Sequence, residues 1–433
     1  MTSSKRFGFL ILAGLFTAAS LSGCGGSSEE DRIPTTVTVF NQHSIVFGNN
    51  SSVLTTGYNG FGQLGDGTRD NRAFAAPVPG LGRMGGFAAG AAHTLAFTNN
   101  STVMAWGFNQ FGQLGTTAVR NGAESSSLDF SPVPVQVELL NRVTSVAAGA
   151  YHSLAVSDGH LYGWGGNGSG QLGNNTLTNA YKPVEVLKVV TAGVNEPFTN
   201  ATQVAAGALH SLVLTQDNKV WAWGDNTFGQ LGSAAGTPKL SPVEVVFLKA
   251  PVGTFPIRIA AAGRYSAALM NDGSVYTWGY NEYGQLGLGT RVATEVPTQV
   301  VFPVPAGQPQ PFIAEISAGL MHMLARAGNT IWGWGFNERA QLGNNPVIGV
   351  KGQDPNTGTP VRAQIGGAGE AGAGFTVESI QAFGYSSLAT LINPGTGLRE
   401  IYGWGDNSFG QLGSPVNNNG LGYRSIPVLM EGL

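Results

Sequence analysis

The segment WGDNTFGQLG, residues 223–232, combines two aromatic residues, an Asp-Asn pair that favours a turn, and three glycines. It returns almost unchanged as WGDNSFGQLG at residues 404–413. With small changes the pattern occurs seven times, and its last residue is Gly65, Gly115, Gly173, Gly232, Gly287, Gly343 or Gly413. A pattern that returns about every 58 residues indicates a repeat architecture, in which each unit is one supersecondary motif.

Each unit contains four short runs that are rich in Val, Leu and aromatic residues and bounded by turn residues, as strands are. In the third unit these runs are 183–187, 202–207, 210–215 and 219–224. Asp-Gly or Asp-Asn pairs separate the last two runs at 157–160, 216–219 and 271–274, and such pairs favour tight hairpins. Seven units of four antiparallel strands predict an all-β protein, a seven-bladed β-propeller.

The chain termini indicate how such a ring closes. The first unit, from about Thr36, lacks the run that begins with PV in the other units, and a spare run, IPVLMEGL, ends the sequence at 426–433. We therefore expect the C-terminal strand to join the first blade, which removes two exposed sheet edges. Residues 36–433 are predicted to be a single propeller domain.

Two residue types stand at fixed positions of the repeat. The tryptophans end a strand and are expected to wedge between blades: Trp106, Trp164, Trp223, Trp278, Trp334 and Trp404. One histidine per blade is expected to bond backbone near the AAG loop as a structural residue: His43, His93, His152, His210 and His322. Ser266 and Ser386 occupy the histidine position in units five and seven. Thr56 and Ala340 depart from the decapeptide, so their blades should pack less tightly.

The first 24 residues have the pattern of an export leader. Lys5 and Arg6 precede the apolar run 7–19, and LSGC at 21–24 resembles a bacterial lipobox ending at the chain's one cysteine, Cys24. We expect a lipidated Cys24, a flexible tether at 25–35, and a protein anchored in the cell envelope, at an outer membrane or the cell surface. The lipid is the expected contact with the membrane.

Composition argues against nucleic-acid binding and against disorder. Charged residues make up 11% of the chain and the net charge is −3, which becomes −5 without the two basic residues of the leader. Nucleic-acid binding depends on Lys and Arg contacts to phosphate. The 42% hydrophobic content is enough for a core.

The sequence contains no pattern that predicts catalysis. GWGGNG at 163–168 matches a dinucleotide fingerprint by letter, but another turn follows where a phosphate-binding helix would have to begin. Asp225 and Asp406 each supply one carboxylate, whereas calcium takes six or more oxygen ligands. Histidines spaced one per blade cannot share a metal ion. We therefore predict no catalytic residue, no metal and no cofactor.

Variable loops on a rigid scaffold are where binding usually resides. In an antiparallel blade, the turns after AAG and the loops after QLG share one face, here called the QLG face. The Asp-Gly turns and the links between blades share the other, the hairpin face. Insertions are expected on the QLG face at 116–130 and 344–374, and on the hairpin face at 188–200, 248–257 and 301–312. Phe255, Phe302 and Phe312 in the last two are candidate anchors for a partner protein, although they could equally cap blade ends.

The repeat, exemplified by VAAGALHSLVL at 204–214 and WAWGDNTFGQLG at 221–232, resembles that of the regulator of chromosome condensation family. The resemblance covers residues 36–433 and implies the propeller fold. Members include a nucleotide-exchange factor of a small GTPase, an ultraviolet-B sensor and a secreted inhibitor of β-lactamases. The sensor's tryptophans are replaced here by Ala91, Ala150, Ala208, Arg264 and Leu320, which does not favour light sensing.

Three functions remain open from the sequence. The favoured one is a monomeric, non-enzymatic scaffold that binds an unidentified protein through its face loops. The alternatives are a guanine-nucleotide-exchange-like regulator of a small GTPase and a hydrolase or lyase that uses the central channel.

Overall fold

The computed structural model describes residues 42–48, 52–98, 102–119, 129–191, 194–346, 348, 354–415 and 422–432. These residues form antiparallel sheets, and the one helical element among them is a 3-10 turn at Thr117–Val119. The sheets are the blades of a seven-bladed β-propeller, which confirms the predicted all-β fold class. In this part of the chain no helix is long and apolar enough to cross a membrane.

The first half of the ring holds four blades. Blade 1 has three described strands, β1 (His43–Phe47), β2 (Val53–Gly57) and β3 (Arg72–Pro77). Blade 2 consists of β4 (Met84–Ala89), β5 (His93–Thr98), β6 (Val103–Phe108) and β7 (Phe130–Gln136). Blade 3 consists of β8 (Val143–Ala148), β9 (His152–Ser157), β10 (His160–Gly165) and β11 (Ala180–Glu185). A separate hairpin follows, β12 (Leu187–Thr191) and β13 (Val194–Pro197). Blade 4 consists of β14 (Ala201–Ala206), β15 (His210–Thr215), β16 (Val220–Asn226) and β17 (Gly236–Val245).

Three more blades complete the ring. Blade 5 consists of β18 (Pro256–Ala262), β19 (Tyr265–Met270), β20 (Val275–Gly279) and β21 (Thr294–Gln299). Blade 6 consists of β22 (Glu315–Ala318), β23 (His322–Ala327), β24 (Thr330–Gly335) and β25 (Thr357–Arg362). Blade 7 consists of β26 (Thr376–Phe383), β27 (Ser386–Ile392), β28 (Arg399–Asp406) and β29 (Tyr423–Leu429). Strands of one blade pair in chain order, and in blades 2 to 7 the end of the first strand lines the centre of the ring.

The hairpin turns follow from their central residues. At 157–160 both central residues have positive φ angles, 52° for Asp158 and 77° for Gly159. Two left-handed residues make a type I′ turn, whose twist matches that of the flanking strands. The Asp-Gly pair therefore directs β9 into β10 as predicted.

The assignment of the PV strands needs a correction. Each PV run pairs with the strand before it in sequence, as Val184 of β11 pairs with Gly163 of β10. It is therefore the outermost strand of its own blade and does not open the next one. By the same rule β29 pairs with β28 in blade 7, so the predicted closure through the first blade is wrong. Loop length does not decide this pairing, since β7 pairs with β6 across residues 109–129 although only residues 137–142 separate it from β8. Residues 36–41, which precede β1, lie outside the described residues.

Blade 7 instead meets blade 1 through a packed boundary. Ser44 and Thr56 of blade 1 donate hydrogen bonds to the backbone carbonyls of Gln411 and Gly410, the second at 3.0 Å. Met430, just after β29, is buried in a cluster formed by both blades. Among the described residues, blades 7 and 1 are thus joined by side-chain contacts and hydrogen bonds.

The decapeptide organises each boundary between blades. The side-chain oxygen of Asn167 accepts a hydrogen bond from the amide of Leu172 at 3.0 Å, which folds the loop, and the other six units repeat this contact. Gly173, the last residue of its decapeptide, has a φ of 67°, and a Cβ there would lie 2.8 Å from Nε1 of Trp223 in the next blade. Only glycine leaves room for this indole, so the glycine and the tryptophan form one packing device.

Candidate functional site

The five repeat histidines are buried between blades. Each Nε2 atom lies 2.9–3.1 Å from a hydroxyl of the next blade, in the pairs His43–Thr94, His93–Ser153, His152–Ser211, His210–Ser266 and His322–Ser387. We expected a backbone partner for each imidazole. The structure places a hydroxyl there because the imidazole is long enough to reach across the blade boundary.

A glutamine carbonyl completes each of these contacts. Ser211 donates its hydroxyl proton to the backbone oxygen of Gln171 at 2.8 Å, so the imidazole of His152 must be the donor to Ser211. The same glutamine oxygen accepts the indole N–H of Trp223 at 2.8 Å. Histidine, serine, tryptophan and glutamine therefore form one network, here called the blade clasp, that ties each such blade to the next.

Blades 5 and 7 have another residue in place of the clasp histidine. In both, the turn that joins the first strand to the second is one residue shorter than in blades 2, 3, 4 and 6. Tyr265 of blade 5 therefore pairs with Gly279, as His210 of blade 4 pairs with Gly224. Tyr265, and not Ser266, holds the histidine position in blade 5, which corrects the sequence alignment. Its hydroxyl reaches the backbone oxygens of Gly319 and His322 in blade 6, at 2.7 and 2.6 Å. In blade 7, Ser386 holds the position as expected and bonds within its own blade.

The clasp histidines are electrically neutral near pH 7. Burial lowers their pKa from the ordinary value of 6.5 to about 4 for His43 and His210 and to about 3 for His93, His152 and His322. Their Nδ1 atoms are buried without a hydrogen-bond partner. Desolvation of the charged form is the cause, and the geometry assigns these side chains to holding blades together.

The centre of the ring offers little chemistry. A cavity of about 250 Å³ is lined mainly by Ala and Gly at the ends of the first strands, with Ser317 and Gln381 as its polar side chains. Ser317 is bonded to the backbone amide of Ala382 at 2.8 Å. Nowhere in the described ranges do three His, Cys, Asp or Glu residues gather as a metal site would require.

The two proline-rich links on the hairpin face lie side by side. The turn at 270–274 stands between them and contacts both. Asn271 of this turn bonds Phe255 twice, each time at 3.0 Å. On the other side, the carbonyl oxygen of Gly273 accepts a hydrogen bond from the backbone amide of Ile313 at 3.2 Å. A Cβ atom at Gly273 would lie 2.6 Å from the ring of Phe312, so this ring packs closely on the turn.

Of the three predicted anchors, Phe302 is a core residue. It is 3% exposed and its ring stacks edge-on against Trp332 and Trp334, with centroids 5.6 and 6.0 Å away. Phe247, at the same place after β17, stacks in the same way on Trp278. The repeated VVF at 245–247 and 300–302 is the signal that could have revealed this.

The remaining anchors belong to a larger exposed surface. Phe255 and Phe312 are 39% and 61% exposed, and four further apolar residues of these links are exposed as well. We call this surface the apolar patch: Leu248, Val252, Phe255, Ile257, Val301 and Phe312. The side-chain amide of Gln310 holds the second link folded. Its oxygen accepts a hydrogen bond from the backbone amide of Phe302 at 2.7 Å, and its nitrogen donates one to the backbone carbonyl of Phe302 at 3.2 Å. Sequence reasoning missed the aliphatic members because single aliphatic residues in a link are also common in cores.

The other predicted features divide as follows. Strand β25 splits the segment 344–374, so the described residues before this strand lie on the QLG face and 363–375 is a link on the hairpin face. The insertion at 188–200 is largely the hairpin β12–β13. Much of the insertion at 116–130, together with Cys24, the leader and the tether, lies outside the described residues.

The repeat matches a known family model. The regulator of chromosome condensation (RCC1) repeat model matches residues 101–156, 158–214, 217–269 and 272–326. A second model of this repeat matches 86–113, 143–171, 201–230 and 257–285. The chain therefore belongs to the RCC1 repeat family.

Curated relatives share part of their length with this chain. The ultraviolet-B receptor UVR8 of Arabidopsis thaliana is 31% identical over 316 residues, which are 72% of this chain and 63% of the receptor. The human E3 ubiquitin-protein ligase HERC2 is 28% identical over 70% of this chain, but over 6% of the ligase. The chain thus matches less than two thirds of either relative.

Solved structures share the fold. Human WBSCR16 aligns with a TM-score of 0.69 and 22% identity over 88% of this chain and 95% of its own. Yeast RCC1 (Prp20), solved bound to Kap60, aligns with a TM-score of 0.68 and 20% identity over 91% and 86%.

Proposed function

We propose that this protein is a non-enzymatic scaffold that binds a partner protein through the apolar patch on its hairpin face. The observation that carries the proposal is the set of exposed apolar side chains on two links that flank one turn. Surfaces of this kind mark interaction sites, since apolar area in contact with water is unfavourable. Prolines in both links restrict their backbone, which lowers the entropy lost on binding.

The use of the repeat histidines supports a binding role over a catalytic one. All five bond a hydroxyl of the next blade, and burial keeps them uncharged. RCC1-type propellers are in general binding or regulatory modules, and the ligase activity of HERC relatives belongs to other domains.

Affinity capture from the native envelope tests the patch. The bait is the body that begins at residue 25, as wild type and with Leu248, Val252 and Phe312 replaced by serine. A matched control carries serine at Leu177 and Val292, exposed apolar residues of the QLG face. The proposal requires a partner that wild type and control retain and the patch variant loses, with unchanged melting. Equal capture by all three would place the site elsewhere.

Phe302 is left out of that variant because its replacement tests the core. Phe302→Ser should lower the melting temperature strongly, as deletion of a buried aromatic typically costs about 3–5 kcal/mol. Phe312→Ser, at an exposed position, should cost far less. Calorimetry of the two single variants compares them.

We also propose that the scaffold is lipid-anchored in the cell envelope through Cys24. The leader pattern and LSGC support this. Metabolic labelling with a fatty-acid analogue should mark the wild type, and Cys24→Ala should be unlabelled and released from the membrane fraction. Label on the alanine variant would contradict the anchor.

A further inference from the structure

We infer that the segment bound at the apolar patch carries carboxylates beside its apolar residues, and that these lie against Lys249 and Arg258. This inference rests on the proposed function and specifies the chemistry of the partner. Lys249 directly follows Leu248, and Arg258 directly follows Ile257, so each cation adjoins a residue of the patch.

Both cations lack a carboxylate partner. Lys249 and Arg258 are exposed, and neither takes part in any ion pair among the described residues. Several other cations near the hairpin face are paired at 2.6–3.2 Å, namely Arg142 with Asp158, Lys219 with Glu244, Arg326 with Glu315 and Arg399 with Glu378. Arg83 and Lys188 on other links of this face also lack an ion pair within the described part of the chain, but Lys249 and Arg258 are the two that adjoin residues of the patch.

The acid within the patch is already engaged. Asp272, at the tip of the turn between the two links, accepts hydrogen bonds from the amide and hydroxyl of Ser274 at 2.9 and 2.6 Å. Its second oxygen accepts the hydroxyl of Thr254 at 3.4 Å. These bonds help to lower the pKa of Asp272, so it stays ionised while its oxygens serve the turn. Asp272 keeps its negative charge, so a partner meets this one carboxylate and the two cations Lys249 and Arg258, which leaves an excess of positive charge.

The number of cations beside the patch favours a peptide segment over an anionic bilayer. Surfaces that bind acidic lipids typically carry about four to eight Lys and Arg residues together, whereas this patch adjoins two. An apolar segment with one or two acidic residues matches both the area and the charge that the patch presents.

Selection from a displayed library of random dodecapeptides tests this inference. The immobilised targets are the wild type, the serine variant of Leu248, Val252 and Phe312, and a charge variant with Lys249→Glu and Arg258→Glu. We expect peptides that combine apolar residues with Asp or Glu to be enriched on the wild type and not on the serine variant. The best peptide should bind the charge variant about tenfold or more weakly, and replacing its acids by lysine should restore that binding.

The outcomes separate the two claims. Enriched peptides that need the apolar residues but bind the charge variant equally well would overturn the acidic partner and leave the proposed binding site intact. Peptides that bind the serine variant as well as the wild type would overturn the site itself. Flotation with vesicles of equal parts phosphatidylglycerol and phosphatidylcholine, lost in the charge variant while no acidic peptide is enriched, would overturn the inference in favour of a membrane.

Discussion

At the scale of single residues, the blade clasp explains why the repeat keeps the same few side chains. His210 reaches Ser266 at 2.9 Å, Ser266 reaches the backbone oxygen of Gln230 at 2.8 Å, and Trp278 reaches the same oxygen at 2.9 Å. Each bond crosses from one blade to the next. A buried donor that loses its partner is still desolvated but gains no hydrogen bond in return, which lowers the free energy of unfolding. The contribution of each clasp residue to stability therefore depends on the presence of the others.

A double-mutant cycle tests the clasp. His210→Ala and Ser266→Ala should each lower the free energy of unfolding by about 1–3 kcal/mol, because each leaves a buried polar group unsatisfied. The double variant should cost less than the sum, since the two residues share one hydrogen bond. Chemical denaturation measures all four proteins. Strict additivity would show that the imidazole and the hydroxyl do not interact.

The clasp also predicts sensitivity to acid. The folded-state pKa values of the histidines are about 3 or 4, below the unfolded value of about 6.5. The unfolded chain therefore binds more protons below pH 6.5, and folding stability is lost as pH falls from there towards the folded pKa values.

Melting curves recorded between pH 7 and about pH 4.5 check this sign. Each buried histidine should lower the free energy of unfolding by at most about 1.4 kcal/mol per pH unit in this range. Carboxylates contribute mainly at lower pH, since their ordinary pKa values lie near 4. A melting temperature that stays constant down to pH 5 would contradict the burial of neutral histidines.

At the scale of strands and links, the sequence predicted the number of blades but not every strand's place. The repeat reveals which runs are strands because their pattern is local. It does not reveal which neighbour a PV run joins, because the phase of a cyclic repeat is arbitrary in sequence. Likewise, a one-residue deletion before Tyr265 hid the true histidine position. Phe302 looked exposed because its link is rich in proline, whereas the tryptophans of blade 6 bury it.

Removal of residues 426–433 now has a different predicted effect. It takes away most of the outermost strand of blade 7 and Met430 from the boundary with blade 1. The exposed edge of β28 should cause aggregation and a large fall in melting temperature. Light scattering and calorimetry of the truncated protein measure both. A soluble variant that melts like the wild type would contradict the pairing of β29 with β28.

At the scale of the whole molecule, we expect the boundary between blades 7 and 1 to be the weakest in the described part of the ring. Thr56 stands where the other blades have the clasp tryptophan, and Ser386 stands where most have the histidine. Met430 packs against Gly413 in the place where the corresponding glycines meet an indole. The loss of the clasp tryptophan and histidine should make this boundary the first to open.

Hydrogen exchange measured by mass spectrometry tests this order of opening. Amides of β2 and β28 should exchange faster than those of β16 and β20, which lie in blades with complete tryptophan contacts. Replacing Trp223 by alanine should raise exchange at the boundary of blades 3 and 4 and serves as a control for sensitivity. Uniform exchange around the ring would show that Thr56 and Met430 fully compensate for the missing indole.

Photo-crosslinking in living cells shows whether the apolar patch binds a partner. A photoreactive phenylalanine analogue is placed at Val252 or Phe312 in the patch, and at Gln110 on the QLG face as the control. We expect the same crosslinked species from both patch positions, absent from Gln110 and abolished when Leu248 is also replaced by serine. Crosslinks that form from Gln110 and from neither patch position would contradict it.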